Sequence, residues 1–286
     1  MQNRKDIKMI KFWKMHGAGN DFVAIDGRFD NIDSSQYSDF AYKVCHRKFG
    51  VGADGLLVVK NSSVADIEMV YYNSDGSRGE MCGNGIRCFS KFVYKNNIVK
   101  KDSFTVDTLD GIKTIELTLN DDNVEFVKVD MGEASFNPAN VPVNTDKEIF
   151  IEEKITALDK EFTVSSILMG VPHTVILVDK LDKDIVLKYG SALETHEVFP
   201  KKSNINFVEI VDRENIKVFT WERGCGYTLA CGTGMTSSVI IANYLNKVDN
   251  KVNVFSEGGK VSITLENKKT FMTGPAVKVF EGYIEK

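Results

Sequence analysis

One heptapeptide pattern occurs twice. The chain reads Glu80-Met81-Cys82-Gly83-Asn84-Gly85-Ile86 near its front and Leu229-Ala230-Cys231-Gly232-Thr233-Gly234-Met235 near its back. Each copy is a cysteine followed by Gly-x-Gly, and each runs into an apolar-rich stretch of helical length, residues 86–94 and 235–245. The match extends upstream. Ten residues before each cysteine stands an aromatic (Tyr72, Trp221), and nine before it a residue with a polar side-chain oxygen (Asn73, Glu222). Such a recurrence restricts the fold to two like halves, each presenting a thiol where a helix begins.

A chain of 286 residues can bury a large core as one domain or two, and the duplication favours two. The pattern restarts at Asp130-Met131-Gly132, which divides the chain into residues 1–131 and 132–274. With 43% apolar and 27% charged residues it has the composition of a soluble globular protein. A net charge of -4 with no basic block argues against a nucleic-acid or anionic-membrane partner and leaves a small molecule as the expected substrate. The first twenty residues carry Arg4, Lys5, Lys8, Lys11 and Lys14 but no apolar signal segment. No apolar run approaches the roughly 18 residues of a membrane helix. Five cysteines, an odd number, suit a reducing compartment better than a disulfide framework, so a cytoplasmic protein is expected.

Taken in order, the pattern predicts strands at residues 8–15 and 22–25, a helix at 35–45, and strands at 56–59 and 66–72. The break His16-Gly17-Ala18-Gly19-Asn20-Asp21 has a Gly-x-Gly after a strand, but neither the third glycine nor the helix of a dinucleotide-binding turn follows. Its glycines permit a sharp turn, and Asn20 tolerates a left-handed backbone while aiming its amide at a neighbour. After the first Cys-Gly-x-Gly helix, strands at 104–108, 113–119 and 124–129 form hairpins. Strands at 149–151, 162–168 and 174–178, a helix at 183–195, and strands at 205–211 and 216–221 precede the second Cys-Gly-x-Gly helix. Strands at 252–256, 260–265 and 277–284 close the chain. The expected class is α+β: two pseudo-symmetric domains, each a mostly antiparallel or mixed sheet wrapped around a central helix. No low-complexity linker parts them, so a cleft between the halves is expected to hold the site.

The first turn of a helix leaves backbone N–H groups without partners and carries a partial positive charge. A cysteine there has its pKa lowered from about 8.5, and the same N–H groups can hold a carboxylate. Two such ends suggest a narrower chemistry. A carboxylate held by both would place its neighbouring carbon between two sulfurs, one removing a proton and the other supplying one from the opposite face, which is a two-base racemase or epimerase. A zinc site built from Cys82, Cys88, Cys225 and Cys231 is disfavoured, because five residues separate the members of each pair and Cys88 lies inside a helix that Cys82 begins. A redox pair lacks the Cys-x-x-Cys spacing. Cys45, Cys88 and Cys225 read as small buried hydrophobes.

Several further motifs now combine: Met15-His16-Gly17-Ala18-Gly19-Asn20-Asp21-Phe22, Asn73 through Cys88, Gly170-Val171-Pro172-His173, Asn204-Ile205-Asn206-Phe207, Glu222-Arg223-Gly224, and Met272-Thr273-Gly274-Pro275. Through them the whole chain resembles the diaminopimelate epimerase family, isomerases of lysine and peptidoglycan precursor biosynthesis that use neither pyridoxal phosphate nor metal. The resemblance implies two pseudo-symmetric halves, with residues 275–286 crossing back to the first. It implies Cys82 and Cys231 as the acid/base pair, Gly83, Asn84, Gly232 and Thr233 as contacts to the reacting carboxylate, and Asn20 close to that centre. It also implies Asn73, Asn204, Glu222 and Arg223 at the remote end of a diamino dicarboxylic acid, Arg223 suiting a bidentate grip on the second carboxylate. His173 and Glu222 are implied as polar groups near the thiols. The implied partners are the small-molecule substrate and, at most, a second copy in a homodimer. The chain carries Val171 where the family commonly has Asn, and Tyr227 where it commonly has Glu. Two alternatives stay open at this stage: a two-cysteine racemase of another amino acid, and a zinc-binding or redox-sensing thiol protein.

Overall fold

The computed structural model describes residues 9–29 and 32–285. Residues 1–8, which include Arg4, Lys5 and the start of the expected opening strand at Lys8, lie outside the described residues, as does Lys286. The chain divides into two compact units, Met1–Val129 with Gly274–Lys286, and Asp130–Thr273.

The first unit runs β1 (Met9–Gly17), β2 (Asn20–Asp26), α1 (Tyr37–Cys45), β3 (Gly55–Lys60), β4 (Ile67–Asn73), β5 (Arg78–Gly79), α2 (Gly83–Lys95), β6 (Ser103–Thr108), β7 (Gly111–Asn120) and β8 (Asn123–Gly132). β2 is antiparallel to β1 and parallel to β3, β4 is antiparallel to β3 and β5 and parallel to β6, and β6, β7 and β8 form successive hairpins. The second unit runs β9 (Glu153–Ala157), β10 (Lys160–Met169), β11 (Val171–Val178), α3 (Lys183–Glu194), β12 (Asn204–Asp212), β13 (Asn215–Glu222), β14 (Gly226–Thr228), α4 (Gly232–Tyr244), β15 (Lys251–Ser256), β16 (Gly259–Glu266) and β17 (Lys269–Gly274). Its pairing from β10 to β17 repeats that from β1 to β8 step for step, with β11 parallel to β12, β13 parallel to β15 and every other pair antiparallel.

The repeat differs at one end. In the second unit the outer neighbour of β10 is β9, the strand just before it. In the first unit the corresponding place beside β1 is taken by the chain's last strand, β18 (Val277–Glu285), antiparallel over Met9–His16.

The central helices are buried for different chemical reasons. In α2, Ile86, Phe89 and Val93 are fully buried, and with Phe92 they make an apolar face of helical period. α4 is buried nearly all round although it contains Thr236, Ser237 and Ser238. Two of those hydroxyls are satisfied within the helix: Thr236 Oγ1 donates to the Gly232 carbonyl (2.9 Å) and Ser238 Oγ to that of Gly234 (2.7 Å). Ser90 does the same in α2, to Ile86 (2.7 Å). The outer helices α1 and α3 pack on separate cores, Tyr37, Ala41 and Val44 against Val23, Leu56 and Val58 in one unit, and Val186, Tyr189 and Leu193 against Phe162, Ile205 and Phe207 in the other.

Three local expectations are corrected. The strand expected at 149–151 is irregular chain. Phe150 is buried in the core, its carbonyl accepts the Ser166 N–H (2.8 Å), and Glu152 turns at a φ of 52°, so the strand starts afterwards at Glu153. The sequence shows no strand at β17 because its buried positions are Thr270, Met272 and Gly274 while Phe271 stands on the half-exposed face, so apolar residues do not alternate. The turn after β1 takes its positive φ at Ala18 (54°) and Gly19 (81°), while Asn20 opens β2 in extended backbone.

Candidate active site

Each cysteine of the repeated motif is the N-cap of its unit's central helix, in extended backbone just before the helical residues: φ −130°, ψ 119° at Cys82 and φ −115°, ψ 113° at Cys231. Cap position explains the third residue on. A Cβ on Gly85 would lie 3.3 Å from the Cβ of Cys82, and one on Gly234 would lie 3.2 Å from that of Cys231. The glycine lets the first turn close against the thiol, and the Gly85 N–H donates to Cys82 Sγ at 3.4 Å.

In the first unit Cys82 is half-buried and its S–H donates to Asn20 Oδ1 (3.3 Å). Asn20 Nδ2 donates in turn to Asp54 Oδ2 (2.6 Å), which also accepts the Asp21 N–H (3.0 Å). Arg47 joins Asp54 Oδ1 (2.6 Å) to Asp21 Oδ1 (2.8 Å), and Lys14 adds a further ion pair to Asp21. Burial alone would raise the Asp21 carboxyl, but hydrogen bonds from Arg47 and Lys14 bring it down to about 2. Arg87, fully buried one turn into α2, donates to the Gly83 carbonyl (3.0 Å) and to that of Pro275 (3.3 Å), and burial pulls its guanidinium down. The β1–β2 turn comes close here: a Cβ on Gly17 would meet the Asn84 carbonyl at 3.0 Å. Gly83 and Asn84 are buried in the first turn of α2. Asn73, at the end of β4, accepts from Tyr71 Oη (2.6 Å) and donates to Ser77 Oγ (2.9 Å), and the next N–H, of Ser74, bonds the Asp54 carbonyl (3.0 Å).

In the second unit Cys231 is buried, and its thiol is pushed well up, against the lowering expected of a cysteine at a helix start. Desolvation is the main cause, and the Glu222 carboxylate adds to it both by its charge and by accepting the S–H, while Thr233 and the Gly234 N–H act in the opposite sense. Thr233 Oγ1 lies 3.5 Å from the sulfur, and Glu222 is steadied by Thr228, whose hydroxyl donates to it at 2.6 Å. Asn204 is buried between Pro172, whose carbonyl it bonds (2.9 Å), and Arg223, whose N–H it accepts (2.8 Å). Its side chain therefore positions Arg223. Arg223 is half-buried and donates to the Lys201 carbonyl (3.0 Å).

His173 lies opposite Asn204 in the β11–β12 register and is fully buried. Burial, assisted by the charge of Arg223, pulls its imidazole down to about 3. Asn206 Nδ2 donates to His173 Nδ1 (3.2 Å), so the neutral ring carries its proton on Nε2, which has no hydrogen-bond partner among the described residues.

All five cysteines are free thiols. Burial raises Cys45 and Cys88 to about 12, as suits inert core residues, whereas Cys225 is exposed and departs from the expected buried role. Among the described residues no three His, Cys, Asp or Glu side chains are grouped as a metal site would require, and no helix is long and apolar enough to cross a membrane.

The structure thus gathers Cys82, Asn20, Gly83 and Asn84 in one unit, and Cys231, Glu222, Gly232 and Thr233 in the other. Three contributors escaped sequence reading. Asp54 stands in the glycine-rich stretch Gly50-Val51-Gly52-Ala53-Asp54-Gly55, where no spacing marks it out. Asn206 sat inside a quoted motif with no role. Glu194 is buried, and accepts the Trp221 indole N–H (2.8 Å) and the Gly224 N–H (3.1 Å), so it braces the Glu222–Arg223 turn from α3.

The chain is similar over nearly its whole length to known proteins. The sequence model of the family described as diaminopimelate epimerase matches residues 12–137 and 165–279. The chain is 47% identical over 275 residues to the diaminopimelate epimerase of Alkaliphilus metalliredigens, covering 96% of each chain. It is 46% identical over 273 residues to that of Clostridium perfringens, covering 96% of this chain and 98% of the relative. Among solved structures, a hydroxyproline epimerase from Agrobacterium vitis shares the fold, with a TM-score of 0.69 at 12% identity over 97% of this chain and 91% of that one. Two like units that each cap a buried helix with a free thiol, in a sequence this close to those relatives, have one reading: the chain belongs to the diaminopimelate epimerase family.

Proposed function

We propose that this chain interconverts LL- and meso-2,6-diaminopimelate in the cytoplasm, using two cysteines as its acid and base and no cofactor. The observation that carries the reading is the paired cap geometry. Each half, residues 1–131 with 275–286 and residues 132–274, offers one thiol beside the N–H groups of a helix start. The chemistry needs both sulfurs at one α-carbon, one on each face. The carboxylate on that carbon is held by the N–H groups at Gly83–Asn84 and Gly232–Thr233, with Asn20 beside it. Asn73, Asn204, Glu222 and Arg223 are assigned to the distal amino-acid end, and Asn204 acts there largely by holding Arg223.

The two thiols start differently. Cys231 rests as a thiol, its S–H held by the Glu222 carboxylate, the neighbour able to take its proton when the base is called for. Cys82 donates to an amide oxygen, which cannot take one, so it rests as the acid. A cycle opened by Cys231 as base and closed by Cys82 as donor fits this arrangement, and reversal exchanges the roles. The burial that raises Cys231 also makes its thiolate a strong base once formed.

The test is turnover of purified, reduced protein on LL-diaminopimelate and on analogues lacking the distal carboxylate. Formation of the meso isomer, with loss of most activity on the truncated analogues, is expected. Equal turnover of a monocarboxylic amino acid would overturn the substrate assignment in favour of a general racemase.

A further inference from the structure

Asn20 presents an amide to Cys82, and an amide has two unlike ends. The oxygen accepts a hydrogen bond and favours the protonated thiol; the NH2 donates one and would favour the thiolate. Which end faces the sulfur therefore sets the resting state of Cys82. Nothing on Cys82 itself decides this, since a thiol can donate and a thiolate accept. Asp54 can decide it. Its carboxylate only accepts, so the end of Asn20 within 2.6 Å of Asp54 Oδ2 must be the NH2, and the oxygen is left for the S–H at 3.3 Å. The carboxylate is itself fixed from three sides, by the Asp21 N–H on Oδ2 (3.0 Å), by Arg47 on Oδ1 (2.6 Å), and by its own N–H bonded to Asp21 (2.9 and 3.0 Å).

We infer that Asp54 is a positioning residue for the reaction: by locking the Asn20 amide with its oxygen toward Cys82 Sγ, it holds that cysteine as the proton donor. Asp54 itself touches neither the sulfur nor, in this reading, the substrate. The inference rests on Cys82 being one of the acid/base pair. Among the described residues, the charged and titratable groups around this contact include Lys14 from β1, Asp21 from β2, Cys45 at the end of α1, Arg47 and Asp54 from the α1–β3 connection, and Arg87 and Cys88 from α2.

The experiment follows the alkylation of Cys82 by iodoacetamide against pH, read peptide by peptide in the mass spectrometer, so that it does not depend on turnover or on the identity of the substrate. In Asp54→Asn the amide can turn over, and the midpoint of the Cys82 profile should fall by about one pH unit, with about tenfold more reactive thiolate at neutral pH. Removing a negative charge alone would shift the profile the same way, and a double-mutant cycle separates the two causes. In an Asn20→Ala background, where no amide remains to turn, Asp54→Asn should move the midpoint no further. A full second shift there would overturn the inference and leave Asp54 as a simple charge. Should Asp54→Asn fold poorly, the wild type answers through the Asn20 carboxamide protons by NMR. Exchange at least about tenfold slower than in an exposed Asn is expected from a buried hydrogen bond, and free exchange would overturn the lock. If alkylation behaves as stated while diaminopimelate is not turned over, the substrate reading fails and the positioning role stands.

Discussion

Gly85 and Gly234 occupy equivalent places in the repeated motif, yet alanine should be tolerated at one and not at the other. At Gly85 an added Cβ meets only apolar atoms at ordinary or slightly tight separations, Cys82 Cβ and Phe22 Cζ at 3.3 Å and Leu57 Cδ2 at 3.4 Å. A few tenths of an ångström of movement accommodates it. That costs about 1 kcal/mol as mild overpacking, and the gain in helix propensity, also about 1 kcal/mol, offsets it. At Gly234 the added Cβ falls well inside 3.0 Å of Asn206 Oδ1. Asn206 cannot retreat, because it is fully buried and held by Thr220 (3.1 Å), His173 (3.2 Å) and the Thr174 carbonyl (3.2 Å). Overpacking of about 1–3 kcal/mol then adds to a broken buried hydrogen bond of about 1–3 kcal/mol, less the same helix gain, for a net cost of about 3 kcal/mol. At roughly 2–4 °C per kcal/mol for a chain of this order of size, Gly234→Ala should melt about 6–12 °C lower than wild type and Gly85→Ala within about 3 °C of it. Differential scanning calorimetry of both variants measures this. If Gly85→Ala proves the more damaging, the account of what the two glycines accommodate is wrong.

Other expectations follow from the same contacts. His173 has a folded pKa near 3 against an ordinary 6.5, so the unfolded chain binds its proton first. The stability this confers is complete above pH 6.5 and declines as pH falls from 6.5 toward 3, by up to about 1.4 kcal/mol per unit. Denaturant midpoints of His173→Gln should lack the part of that slope seen in wild type between pH 6.5 and 5, and parallel curves would refute the assignment. Glu222→Gln removes both the charge that raises Cys231 and the group assigned to take its proton. Cys231 should then alkylate at lower pH while turnover falls by about 10²-fold or more; retained turnover would remove Glu222 from the proton path. Restoring an amide with Val171→Asn should lower KM for diaminopimelate a few-fold with kcat little changed, the worth of about one hydrogen bond. An unchanged KM would show that this position does not meet the substrate.

The repeated motif made much of this molecule legible. Two cysteines spaced alike from an aromatic and a polar residue implied two like units, and the strand pairing repeats from β1 to β8 and from β10 to β17. Alternation located strands such as β6, which has one face in a core. It failed where burial and extension part company, as at Phe150, which is buried in irregular chain, and in β17, whose buried positions are held by Thr270, Met272 and Gly274. The site residues that local chemistry marks, a thiol at a helix start and an Arg beside a Glu, could be found from spacing. Asp54, Asn206 and Glu194 could not, because their importance lies in which distant polar atom each one holds, and such contacts between sequence-remote atoms leave no periodic trace. Asn204 shows the converse: a motif residue assigned to substrate that spends its amide on Pro172 and Arg223.

The central claim, two thiols acting on opposite faces of one carbon, is met most directly by running the reaction in deuterium oxide on LL-diaminopimelate with wild type and with Cys82→Ser and Cys231→Ser. Each inverted centre formed by wild type should carry solvent deuterium, and either substitution should nearly abolish inversion. A meso product that retains the original proton, or full inversion by either single mutant, would contradict it.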